Sequence, residues 1–203
     1  MDPLSPSEAL VLMLHDIGAV QFGRFRLHSG RESRIYVDLR VLVSFPAALR
    51  QATAAYRALL APLPYDLLAA TPLAGLPIGT ALCLELDKPL IYPRKTAKSY
   101  GTGKEIEGRW SIGQTAVVID DLITSGESVL ETIAAVKAVG LKVHDAAVLI
   151  DREQGGRRML ATQGYHVHAA LTMRELLEIL VLHGRLTASL RDEVLSSLNL
   201  RQS

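Results

Sequence analysis

An apolar run from Ala116 to Ile119 ends in two adjacent acids, Asp120 and Asp121, and continues through Leu122 and Ile123 into Thr124, Ser125, Gly126, Glu127 and Ser128. A strand that feeds a small polar turn and then a helix places the turn at a strand's carboxyl end, where open α/β sheets bind ligands. The first turn of such a helix offers backbone N–H groups that have no partners within it. The hydroxyls of Thr124, Ser125 and Ser128 stand around those donors, which makes the turn a cradle for phosphate. Paired carboxylates repel a bare anion, but they accept hydrogen bonds from sugar hydroxyls or help orient a divalent cation. Acids beside a phosphate cradle point to a ribose phosphate. The plainer alternative is an ordinary helix cap with two incidental acids.

A second segment carries charge rather than a turn. Residues 94 to 109 hold Arg94, Lys95, Lys98, Lys104 and Arg109 against Glu105 and Glu107, a local +3 in a chain of net charge +1. Gly101, Gly103 and Gly108 make the segment pliable. A pliable basic loop can close over a pyrophosphate and keep water from an activated sugar; a solvated hairpin with scattered charges is the alternative. It is not a nucleotide-binding Walker loop, because Lys98 stands where the first glycine belongs and Glu105 replaces the final Ser or Thr. Arg152 follows an apolar run ending at Ile150, where a guanidinium can pair with a carboxylate ligand in bidentate fashion or sit in a structural salt bridge.

Composition sets the frame for these groups. With 203 residues, 49% of them apolar and 21% charged, the chain suits one compact unit. The near balance of 22 basic and 21 acidic residues argues against nucleic-acid binding by bulk charge. The single cysteine, Cys83, excludes an internal disulfide, suits a reducing compartment, and reads as a small buried hydrophobe. No secretory signal pattern opens the sequence, so a cytoplasmic location is the expectation. Leu67 to Leu84 carries no charge, but Pro72, Gly75, Pro77 and Gly79 interrupt it, so a buried strand, turn and helix fit better than a membrane span. His166 and His168 share a strand face with no cysteine or acid nearby in sequence, so packing or hydrogen bonding is expected of them rather than metal binding.

The elements that position the chemistry follow from periodicity. Ser5-Pro6-Ser7-Glu8 is a capping box opening an N-terminal helix with Leu10, Leu14 and Ile17 on one stripe. Alternation from Gly23 to Arg40, broken at Ser29-Gly30, predicts a β-hairpin whose second arm sets Arg34, Tyr36, Asp38 and Arg40 opposite Ile35, Val37 and Leu39. Beyond Pro46, strands are predicted near Asp66–Ala70, Leu90–Tyr92, Ala116–Asp120, Asp145–Ile150 and His166–Leu171. Helices are predicted at Ala47–Leu60, Gly75–Leu86, Glu127–Val139, Arg157–Gln163 and Met173–Leu182. The result is an α/β fold: a mostly parallel, doubly wound sheet with a small N-terminal helix and hairpin hood. The expected layout is a single unit over 1–203, with the hood at 1–45, the α/β core at 46–183 and a helical tail at 184–203.

In the order in which they occur, several segments resemble the orotate phosphoribosyltransferases, most closely the form that is the first domain of bifunctional UMP synthases. They are Phe25 to Gly30, Ile35 to Arg40, Arg94 to Thr102, the Asp120 to Ser128 turn, and Asp151 to Gly156. The resemblance covers about residues 10 to 180 and implies the type I phosphoribosyltransferase fold. It implies transfer of phosphoribosyl from phosphoribosyl pyrophosphate (PRPP) to orotate in UMP biosynthesis, with Mg2+ held mainly by PRPP. It further implies that Arg94, Lys95, Lys98 and Tyr100 contact PRPP, some of them across a homodimer interface, with the Asp120 to Ser128 turn on the ribose phosphate. Tyr36, Val37, Thr124 and Arg152 fall where the family binds orotate, and Lys95, Lys98, Asp120 and Asp121 are the implied catalytic groups. No nucleic acid or membrane partner is implied, and the decarboxylase of the bifunctional enzymes is expected in a separate protein. Another base, purine or uracil, and a ligand-sensing regulator of the same fold are the alternatives. One position departs from the family: His28 stands where a lysine usually approaches the pyrophosphate. Imidazole is shorter and mostly neutral near pH 7, so His28→Lys is expected to lower the KM for PRPP in steady-state assays.

Overall fold

The computed structural model describes residues 3–26, 32–94, 105–198 and 200. Pro6–Asp16 forms α1, capped by the Ser5 hydroxyl and the Glu8 carboxylate in a reciprocal capping box. Val20–Arg26 (β1) and Glu32–Val37 (β2) pair antiparallel, with a bulge between Phe22 and Phe25. The predicted alternation to Arg40 stops three residues early. The Asp38 carboxylate accepts the Arg40 N–H and opens a 3-10 helix over Leu39–Ser44, a local bond that competes with continued strand pairing. The proposed hairpin turn at Ser29-Gly30 lies outside the described residues.

The remainder is built from Pro46–Leu60 (α2), Leu67–Ala70 (β3), Gly75–Leu86 (α3), Leu90–Pro93 (β4), Ile106–Glu107 (β5), Thr115–Ile119 (β6), Leu122–Ile123 (β7), Glu127–Ala138 (α4), Lys142–Asp151 (β8), Gly156–Thr162 (α5), His166–Thr172 (β9), Met173–Leu182 (α6) and Ala188–Ser197 (α7). The predicted strands and helices of the core are all present within a few residues of their expected ends. The two-residue strands β5 and β7 are additions, being too short to show periodicity. Leu67 to Leu84 is strand, turn and helix, as read, and among the described residues no helix is long and apolar enough to cross a membrane.

The main sheet runs β4-β3-β6-β8-β9 with every one of these pairs parallel; β5 adds antiparallel to the β4 edge and β7 pairs the far end of β8. Successive side chains alternate between two apolar layers. Leu68, Val117, Ile119, Ala147 and Leu149 pack with α1, α2, α3, α6 and α7, while Leu67, Ala69, Val118, Ala146 and Val148 pack with α4 and α5. The hood belongs to the first layer, because Ile35, Val37, Leu39 and Leu42 join Leu10, Val11 and Leu14 there. Arg34 on β2 pairs with Glu193 on α7 at 2.9 Å, and Glu8 on α1 pairs with His183 after α6 at 3.0 Å.

Going out from β3, the chain first adds β4 on one side and then returns to add β6 on the other. That reversal opens a crevice between the carboxyl ends of β3 and β6, where a doubly wound sheet receives its ligand.

Candidate active site

The crevice is lined by two turns. One, Thr71 to Ala74, leads from β3 to α3; the other, Asp120 to Gly126, leads from β6 to α4. They are held close together. The Thr71 N–H donates to the Ile119 carbonyl at 2.9 Å, and a Cβ at Gly75 would stand 2.5 Å from that same oxygen, so only glycine fits at the start of α3. Leu73 sits in the left-handed region (φ 74°) and is 63% exposed at the rim, a strained non-glycine residue of the kind that gathers at ligand sites.

Asp120 and Asp121 stand where β6 breaks off. The Asp121 N–H donates to Asp120 Oδ1 at 2.9 Å, and the Leu122 N–H donates to Asp121 Oδ1 at 2.8 Å, so each carboxylate is fixed by the residue after it. Asp120 is 5% exposed. Burial, and then repulsion from Asp121, push its carboxyl up to about 8. Burial also raises Asp121, opposed by the hydrogen bonds it accepts and by the charge of Arg40. The Thr71 hydroxyl lies near enough to stabilise the Asp120 carboxylate but makes no well-formed hydrogen bond among the described residues. Two carboxylates in this state take up a proton, a sugar hydroxyl or a hard cation readily.

Beyond the acids, α4 begins without a side-chain cap; Gly126 turns the chain in the left-handed region (φ 87°). The plain-cap alternative is therefore set aside, since Thr124, Ser125 and Ser128 do not spend their hydroxyls on closing this helix end. The turn is braced from behind by α5. The Gly156 N–H donates to the Thr124 carbonyl at 2.9 Å, and a Cβ at Gly156 would come within 2.5 Å of that oxygen. Leu122 and Ile123 pair with Ile150 and Asp151, fixing the turn to the end of β8. A cavity of about 460 Å³ opens between the β3 and β4 ends and α4, bringing Thr71, Arg94 and Ser128 to one space together with Glu131 and Thr132. Arg94 is held there by Glu107 at 3.1 Å.

Arg152 sits just past β8, its backbone N–H donating to the Ile123 carbonyl at 3.0 Å. It is 8% exposed, and its Nε and Nη2 have no hydrogen-bond partner among the described residues. Among the described residues the salt-bridge alternative fails, because no acid pairs with the guanidinium and the acids next to it in sequence bond elsewhere. Asp151 accepts the Glu153 N–H at 2.7 Å, and the Glu153 carboxylate takes the N–H and Nε of Arg174 at 2.9 and 3.2 Å. Burial alone lowers the guanidinium pKa. A buried cation with free donors is costly in isolation and is the complement of an anionic ligand.

Tyr36 and Val37 end β2. Val37 turns into the core, while Tyr36 is half-buried, packs on Phe25 with ring centres 5.5 Å apart, and accepts a hydrogen bond from Arg40 Nη2 at 3.1 Å. Arg40 is also clamped by Asp38 at 2.6 and 2.8 Å, and its charge is felt at Asp121. The hood is thereby linked to the acid turn. His28, Lys95, Lys98 and Tyr100 lie outside the described residues.

Sequence reading did not single out Thr71, Arg40's field at Asp121 or Tyr56, whose hydroxyl reaches the Asp120 carbonyl. A turn of Thr-Pro directly after an apolar strand was the available signal for Thr71. Two expectations away from the crevice are refined. Cys83 is only half-buried, against the first apolar layer, and His168 does have an acid beside it, bonding Asp145 across β8 and β9 at 2.8 Å.

The phosphoribosyl transferase domain family matches residues 52–163. The chain belongs to this family. An orotate phosphoribosyltransferase of Pyrobaculum aerophilum is 42% identical over 86% of this chain and 91% of its own length. The bifunctional enzyme PyrF/PyrE of a Nostoc species is 41% identical over 89% of this chain and 38% of its own. The structure of Leishmania donovani UMP synthase superposes with a TM-score of 0.88 at 36% identity, covering 96% of this chain and 42% of that one. The chain thus spans about two fifths of the Nostoc and Leishmania proteins and about nine tenths of the Pyrobaculum one.

The acid pair has a measurable signature. Its folded-state pKa is raised above the ordinary 3.8 to about 8 at Asp120. The folded state therefore holds the proton more tightly than the unfolded chain, and the stability this contributes is lost as pH rises through that interval. Asp120→Asn is expected to flatten the fall in Tm of the ligand-free protein between about pH 5 and pH 8 and to melt above wild type at the upper end. Thermal unfolding across a pH series checks it.

Proposed function

We propose that this chain is an orotate phosphoribosyltransferase, transferring the 5-phosphoribosyl group of PRPP to N1 of orotate to give orotidine 5′-monophosphate and pyrophosphate for UMP synthesis. The observation that carries the reading is the buried guanidinium of Arg152 beside the Thr124 turn, without a partner among the described residues and suited to a ligand bearing a carboxylate. Orotate is such a base; uracil and the purines are not.

In this reading the turn from Leu122 to Ser128 holds the 5′-phosphate through the N–H groups and hydroxyls that follow Ile123, the Leu122 N–H being taken by Asp121, and Asp120 and Asp121 accept the ribose hydroxyls. Arg94, Lys95, Lys98, Tyr100 and His28 face the pyrophosphate. Orotate lies between Tyr36 and the backbone of Val37, whose side chain is in the core, on one side and Thr124 and Arg152 on the other. The bond from the anomeric carbon to pyrophosphate breaks with its electron pair leaving on oxygen, positive charge spreads over the sugar, and N1 of orotate attacks from the opposite face and gives up its proton to solvent. No protein nucleophile is required. The residues position both substrates and stabilise the leaving group. The family's use of Mg2+ with PRPP fits the adjacent buried acids, which would share the ion with substrate oxygens; when bound, it neutralises charge on the pyrophosphate. Loop residues acting across a homodimer interface and a cytoplasmic location complete the proposal.

Following orotate absorbance and pyrophosphate release tests it. Wild type should consume orotate only with PRPP and Mg2+ present, and Arg152→Met should raise the orotate KM by about tenfold or more, the loss of a charge-assisted bond. The same variant should melt no lower than wild type without ligand, since it removes an uncompensated buried charge. Turnover of adenine or uracil in place of orotate would sink the assignment. For the leaving-group role, Lys98→Ala is expected to cut kcat by roughly a hundredfold while leaving the orotate KM within about twofold. Equal changes in both constants would count against it.

A further inference from the structure

Tyr56 is the largest side chain fully enclosed in the core, at 0% exposure on α2, and its hydroxyl donates to the Asp120 carbonyl at 2.5 Å across 64 residues of sequence. The place it reaches is where β6 loses its partner. After a register shift between Ala116 and Val118 the strand stays paired with β8 through Val118 and Ile119, and the Asp120 N–H still donates to the Ala147 carbonyl at 3.1 Å. In a parallel ladder the next bond would run from the Leu149 N–H to the Asp120 carbonyl. The Leu149 N–H donates instead to the Asp121 carbonyl at 2.9 Å. The Asp120 carbonyl, buried and dropped from the ladder, would be an unsatisfied acceptor without another donor. The phenol is that donor.

We infer that Tyr56 is a positioning residue for the reaction: its hydroxyl takes the place of a missing ladder bond, holds the break in β6 open, and so aims Asp120 and Asp121 at the ribose. Phenylalanine would fill the same volume, because the ring belongs to the apolar cluster that also holds Leu60, Ile78 and Ile119. Only the oxygen is left over, and it goes to the one peptide that joins the two acids. With the hydroxyl removed, the Asp120 carbonyl regains a partner only if that peptide rotates back towards the Leu149 N–H. Such a rotation would turn the following carboxylate away from the crevice and break the bonds by which each acid is fixed.

This inference rests on the function proposed above, and its test separates the two. In Tyr56→Phe, the KM for PRPP is expected to rise about tenfold, the effect of one lost buried bond, while the KM for orotate at saturating PRPP stays within about twofold. Leu60→Ala, one turn along the same helix, serves as the control for a softened core: it should lower Tm with both KM values unchanged. Should Tyr56→Phe fail to fold, Tyr56→Met, which also fills the space without a donor, is read in the same way. An active wild type whose hydroxyl-free variant shows an unshifted PRPP KM, or equal shifts for both substrates, overturns the inference alone. A wild type inactive with PRPP and orotate overturns the reading and the inference together.

Discussion

Asp120 and Arg152 are buried and Asp121 half-buried at the carboxyl edge of one sheet, and among the described residues no ion pair joins Arg152 to either acid. The crevice keeps ionisable groups where water solvates them poorly, which pushes the Asp120 carboxyl up and the Arg152 guanidinium down. The acids are turned towards the N–H groups that follow them, and Arg152 is tied through its backbone to Ile123 while Glu153 is drawn off by Arg174. Such an arrangement costs stability and supplies preorganised dipoles and charges for a polar ligand.

The sheet makes that cost bearable. Alternating side chains on β3, β6 and β8 are apolar on both faces, so the charged turns stand at the end of a rigid platform rather than on a mobile loop. Close contacts at Gly75 and Gly156, where any larger residue would meet backbone oxygen, lock the two crevice turns against their neighbours. The hood adds a third wall, where Arg40 donates to the Tyr36 hydroxyl and lends its charge to Asp121.

Much of this was legible in the residues. Nearly continuous apolar runs gave the buried parallel strands, and the paired acids and Arg152 were recognisable because each follows such a run directly. What escaped was set by tertiary context. Tyr56 falls on an apolar stripe with Ala48, Ala52 and Leu60 at helical spacing, so nothing local reveals that its oxygen has a distant partner. The strand predicted through Arg40 ends because Asp38 folds back on its own chain, a competition that alternation of hydrophobicity does not register. That Arg152 lacks a partner among the described residues depended on how Glu153 and Arg174 meet, which two elements far apart in sequence decide.

The Glu8 carboxylate is shared between two tasks: Oε2 closes the amino end of α1 on the Ser5 N–H, and Oε1 meets His183 at the end of α6. One side chain thus acts as a hinge pin between hood and core. Swinging α1 outward would strain its own first turn, so local helix order and tertiary docking rise and fall as a unit. The wall that carries Tyr36 gains its rigidity from a joint well removed from any chemistry.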